Sequence, residues 1–195
     1  MKYQQLKKLK EKPFFTVEDL AEVLGIKRIS ARVLASRYVA AGYFVRPKNN
    51  FYVLAERWEN FSREDFYKIA NYLQVPSYIS FMNALGYYEV TTQIQRGFFQ
   101  SAALKRTEHF SAAGVAFNYN KLSRKLFFGF EKRNGIFIAR KEKSFLDCVY
   151  LYSFGRYSLD VSSLNFKILE PAVLKKYLKF YPEKTKKAVK KICGI

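Results

Sequence analysis

The sequence predicts an α+β chain: an N-terminal winged helix-turn-helix, then an α/β domain with a small, mostly antiparallel sheet that ends in basic helices. Three observations predict it. Residues 1–55 carry three helix-patterned stretches followed by two short β-rich runs around an Asn-containing turn. From 97 to 141 the pattern changes to short aromatic and β-branched runs, punctuated by Gly129, Asn134 and Gly135. Helical patterns return over 142–154 and in a closing stretch parted into two helices by Pro182.

Each element has a local reason. In 1–12, Tyr3, Leu6 and Leu9 share a helical face, and Pro13 ends the stretch. Thr16 precedes VEDLAEVLG with Asp19 three residues on, a capping-box start with acids in the first turn. Gly25 supplies a left-handed stop. A helix follows over 28–41, closed by Gly42. YFVRP and FYVL on either side of KNN read as a hairpin. The apolar positions fit this arrangement: Leu20, Val23 and Leu24 pack the second helix, Ile26 fills the turn, and Ala31, Leu34, Ala35 and Tyr38 form one stripe of the third. Domains are expected at 1–58 and 59–195. In the second, 62–73 is a helix after a connector. SYISFMNALGYY (77–88) is read as a helix with Ile79, Met82, Ala84 and Leu85 toward a core. RGFFQSA, GVAFNYN, KLFFGFE and GIFIARK are strands, 142–154 is a helix, and two helices parted by Pro182 close the chain.

Charge narrows the function. The chain holds 35 Lys and Arg against 16 Asp and Glu, a net +19. That excess favours a polyanionic partner. It is densest over 170–195, with eight basic and two acidic side chains. No apolar run is long enough to span a membrane, and MKYQQLKKLKEK lacks the apolar core of a signal peptide. Cys148 and Cys193 alone make no disulfide framework, so a cytoplasmic location is expected.

The segment KRISARVLASR (27–37) contains four cations and no acid. With Ala31, Leu34, Ala35 and Tyr38 turned inward, the stripe Lys27, Arg28, Ser30, Arg32, Ser36 and Arg37 is expected to face outward. Such a helix suits a major groove, where arginine pairs with guanine and Ser or Lys reaches phosphate. Arg28, Arg32 and Arg37 cannot all point one way. Arg46, Lys48 and Asn49 are expected at the hairpin tip, against the backbone or minor groove of double-stranded DNA. Lys184, Lys186, Lys187, Lys190 and Lys191 offer a second DNA contact; a membrane-surface helix or a solvated face are the alternatives.

Enzyme signatures are poor. His109 is the single histidine, so no histidine-based triad or multi-histidine metal site can form. No glycine-rich phosphate loop is present. No catalytic residue, metal or cofactor is expected. Two rivals stay open. Glu131, Glu142 and Lys143, with Asp147 nearby, would make a metal-dependent nuclease centre if they converged. A winged-helix adaptor would instead dock a protein. Phe127, Phe128, Phe130 and Phe137 fit a sheet core better than a base-stacking platform.

Two longer segments resemble a known family. PSYISFMNALGYYEVTTQIQR, with Tyr78 to Gln93, and later ARKEKSFLD, from Ala139 to Asp147, are similar to motifs of the type IV antitoxin family of abortive-infection AbiE systems, the AbiEi-like transcriptional regulators. Ser144 stands for the family's usual alanine, and the proline expected after Gln93 is missing. The resemblance spans most of the chain. It implies a winged-helix repressor of its own operon, bound to an inverted repeat. The counterpart would be a nucleotidyltransferase-like toxin, opposed without a tight direct complex.

Overall fold

Thr16 and Asp19 cap each other: the Thr16 hydroxyl accepts from the Asp19 amide at 3.2 Å, and the Asp19 carboxylate accepts from the Thr16 amide at 2.8 Å. This starts α1, Val17–Leu24, which Gly25 stops at φ 62°. The computed structural model describes residues 6–93 and 95–194. The helix expected over 1–12 therefore falls partly outside the described residues, Tyr3 included. What is described of it, Lys7–Glu11, is a 3-10 turn. α2 spans Arg28–Ala40, followed by β1, Phe44–Lys48, and β2, Phe51–Leu54.

The hairpin joins two apolar cores. Successive strand side chains point to opposite faces. Tyr52 accordingly packs with Phe15, Leu20, Ala31, Ala35 and Phe44, whereas Phe51 and Val53 join the larger core of the rest of the chain. The other edge of β2 is paired too. Phe15 and Tyr52 exchange backbone hydrogen bonds of 2.8 and 2.9 Å. The β1–β2 register slips between Val45 and Lys48, where Pro47 has no amide to give.

Beyond the hairpin the chain departs from expectation in three places. The expected connector contains α3, Ala55–Glu59, which buries Trp58. α4, Arg63–Leu73, follows on a second reciprocal cap between Ser62 and Asp65. The expected helix over 77–88 is divided. Ser77–Ile79 form β3 inside the sheet, Phe81 takes φ 57°, and α5 spans Phe81–Tyr87. Tyr78 and Ile79 are good sheet formers. With both sheet faces covered, all three β3 residues are buried and no alternation marks the strand. KLFF is not a strand; Arg124–Leu126 are a 3-10 turn.

The sheet is larger and more mixed than expected. β4 (Phe98–Ala103), β5 (Glu108–Ala112), β6 (Val115–Lys121), β7 (Phe130–Arg133) and β8 (Ile136–Ala139) join β3 in the order β5-β6-β4-β3-β8-β7. β4 with β6 and β3 with β8 run parallel; the other three pairings are antiparallel. α6 (Lys141–Ser153), α7 (Pro171–Leu178) and α8 (Glu183–Cys193) complete the chain. The architecture is α+β, with a mixed sheet and a two-stranded antiparallel one. Among the described residues, no helix is long and apolar enough to cross a membrane.

Candidate nucleic-acid interface

α2 is seated by small residues. Ala31 and Ala35 are fully buried, with Leu34 and Tyr38 beside them. The rest of its surface faces out: Lys27, Arg28, Ser30, Arg32, Ser36 and Arg37 are all exposed, as the sequence implies. The cations are not equivalent, however. Nε of Arg28 donates to Glu18 on α1 at 2.5 Å. Glu18 also accepts from Asn50 at 2.9 Å. Chiefly through Asn50, then its own backbone and Arg28, its carboxyl is lowered from an ordinary 4.5 to about 2. Arg28 is thus tied to an anion. Among the described residues, Arg32 and Arg37 make no ion pair or hydrogen bond through their side chains. With 3.6 residues per turn they diverge by about 140° around the helix.

Two residues missed by the sequence reading fill the gap between them. Ile29 is 80% exposed and Val33 47%. Both fall out of phase with the buried stripe, and that phase was the available signal. They border a shallow depression with Ile26, Ser30, Leu34 and Arg37.

The hairpin divides its polar residues. Arg46 and Asn49 are exposed. Lys48 is exposed beside them but is also tied to the larger core. Its ammonium donates to the Leu73 carbonyl at 2.9 Å and lies 5.7 Å from the Phe110 ring centroid, so it staples the hairpin to the larger core. Pairing of β1 and β2 beside β5 turns it that way. Asn50, unassigned from sequence, takes φ 54°; it accepts from the Val17 amide at 2.8 Å and donates to Glu18.

No family model matches the chain, and no curated protein matches it. Among solved structures it is similar to the crystal structure of the RV2827C protein from Mycobacterium tuberculosis. The two share 10% identity at a TM-score of 0.66, over 99% of this chain and 76% of that one. At that identity the likeness is one of fold.

The basic C-terminal residues separate as well. Lys187, Lys190 and Lys191 are exposed on α8. Lys186 pairs with Glu183 at 2.7 Å, and Lys184 stands 5.1 Å from the Phe154 ring centroid. The carboxylates proposed for a nuclease centre each have other partners. Glu131 pairs with Arg133 and, at 3.1 Å, with Arg140. Glu142 is buried and accepts from the Glu170 amide at 2.9 Å. Among the described residues no three His, Cys, Asp or Glu side chains cluster as metal ligands. His109 sits mid-strand in β5, bonded to Asn118 across the ladder. Phe127, Phe128 and Phe130 pack on the core, with Phe130 stacked 4.5 Å from Tyr78, while Phe137 is 42% exposed.

The two segments behind the family resemblance meet in the interior. Asp147 accepts from Tyr78 at 3.1 Å, from Ser80 at 2.8 Å and from Tyr181 at 2.8 Å, and it pairs with Lys143. Lys143 also donates to Tyr181 at 2.9 Å. All five side chains are buried. Burial pulls the Lys143 ammonium down, opposed by Asp147, and burial with the same carboxylate pushes both tyrosines up. A Cβ at Gly129 would stand 3.1 Å from Lys143, and φ 70° there also favours glycine. The cluster links β3, α6 and the α7–α8 connection.

Proposed function

We propose that this chain is a sequence-specific regulator that binds double-stranded DNA. Its α1, α2 and β1–β2 act as a winged helix, with α2 in the major groove. One observation carries the reading: the outward face of α2 has no acid, and Arg32 and Arg37 are uncommitted on either side of it. Solvated arginines of this kind pair with guanine O6 and N7 or with phosphate at little reorganisation cost. Ser30 and Ser36 supply short hydroxyls, while Lys27, Arg46 and Asn49 meet the backbone. Lys187, Lys190 and Lys191 are a second backbone contact.

The family resemblance extends the proposal. The chain would be the antitoxin and autorepressor of a type IV toxin–antitoxin operon in phage defence, working in the cytoplasm. Its site would be an inverted repeat, and its counterpart a nucleotidyltransferase-like toxin. The test is fluorescence anisotropy with duplex from upstream of its own gene, across a salt series. Log affinity should fall against log salt by about 0.9 per phosphate neutralised. A flat response would overturn DNA binding. Failure to rescue growth from an adjacent toxin would remove the antitoxin part alone.

A further inference from the structure

We infer that Ile29 and Val33 read thymine methyl groups, making the centre of the α2 footprint a thymine-selective site. The inference rests on the winged-helix reading above and adds the base class it recognises. Ile29 and Val33 lie one turn apart, so their Cβ atoms are about 6 Å from each other. They point midway between Arg32 and Arg37, where a helix in a major groove comes nearest the base edges. Isoleucine and valine have nothing to offer a guanine or an adenine edge. The C5-methyl of thymine is the apolar group that the major groove presents. Stacked bases on one strand rise about 3.4 Å per step, so the two side chains reach methyls within two steps of each other.

Charge and size favour DNA over another protein as occupant. The apolar spot is an island of Ile26, Ile29, Val33 and Leu34, with Ser30 and Arg37 at its border and Arg32 on the other side. A stable protein interface needs on the order of 1,000 Å² or more, far beyond four side chains.

The experiment uses the full chain and a duplex selected from a random library. Each thymine of the selected site is replaced by uracil, which removes the methyl and keeps every hydrogen-bonding group. Loss of one buried carbon should weaken binding about fourfold, and loss of two about fifteenfold. The double variant Ile29→Ala, Val33→Ala should bind the thymine and uracil duplexes alike. Both residues are exposed, so its melting temperature should match the parent's. Equal affinity of the parent for the two duplexes overturns the inference and leaves DNA binding standing. So does a double variant that still prefers thymine, or one whose parent uses this face to dimerise, seen as a change in sedimentation. Failure to select any duplex overturns the winged-helix reading itself.

Discussion

α2 and α6 are both thirteen residues long, and they hold their charges in opposite ways. On α2 the cations are outside, and among the described residues only Arg28 has a carboxylate partner. On α6, Glu142, Lys143 and Asp147 are all inside, each with a defined partner. Burying a charge without a partner costs several kcal/mol, so inner charges come as satisfied networks. An exposed arginine costs little and is free to bind. On the proposed function, α6 therefore serves the fold and α2 the DNA contact.

The largest test of this contrast is Lys143→Ala. It strands the Asp147 carboxylate in the interior, and breaking such a buried pair typically costs about 3–5 kcal/mol. Urea unfolding should show the loss as a lower midpoint. A stability within error of the parent would mean that the α6 charges are not structural. On α2, Arg32→Ala and Arg37→Ala should each cost about 1–3 kcal/mol of DNA affinity where they pair with a base. Their stability should stay within about 0.5 kcal/mol, the usual range for surface substitutions. If either variant unfolds the chain, the division between the helices fails.

Lys48→Ala separates the two roles inside one hairpin. The Leu73 carbonyl loses its donor, so about 1 kcal/mol of stability should go. The loss of DNA affinity should be smaller than that of Arg32→Ala, measured on the same duplex. The reverse ordering would give Lys48 the DNA-backbone role expected from the sequence.

Local chemistry made the N-terminal elements legible. The Thr16–Asp19 cap, Gly25 and the stripe Ala31, Leu34, Ala35, Tyr38 are encoded within a few residues of where they act. β3 was not legible, because a three-residue strand buried on both faces has no period of two. β5 passed unread because its face alternates between half-buried and exposed residues, with few of the strong sheet formers. At the candidate site the exposure of Arg32 and Arg37 followed from the pattern. The commitments of Arg28 and Lys48 did not. Their partners, Glu18 and Leu73, lie 10 and 25 residues away, and only the folded chain brings them together.

The smallest expected effect concerns Arg28, the one cation of α2 held like those of α6. Glu18→Gln removes its anion while keeping an acceptor for Asn50. Arg28 then becomes available to phosphate, and DNA binding should tighten by roughly twofold to threefold at low salt, fading as salt rises. Acid cannot substitute for this change. Glu18 has a folded value near 2, against an ordinary 4.5. A carboxyl lowered on folding contributes stability that is present above about 4.5 and is lost as pH falls toward 2. At every pH where DNA binding is measured, the parent therefore keeps Glu18 ionised and Arg28 held. The variant should bind more tightly at pH 7, and its melting temperature should fall less steeply than the parent's between pH 4.5 and 2. Unchanged affinity at low salt would place Arg28 off the DNA and leave Arg32 and Arg37 as the arginines of α2 that reach it.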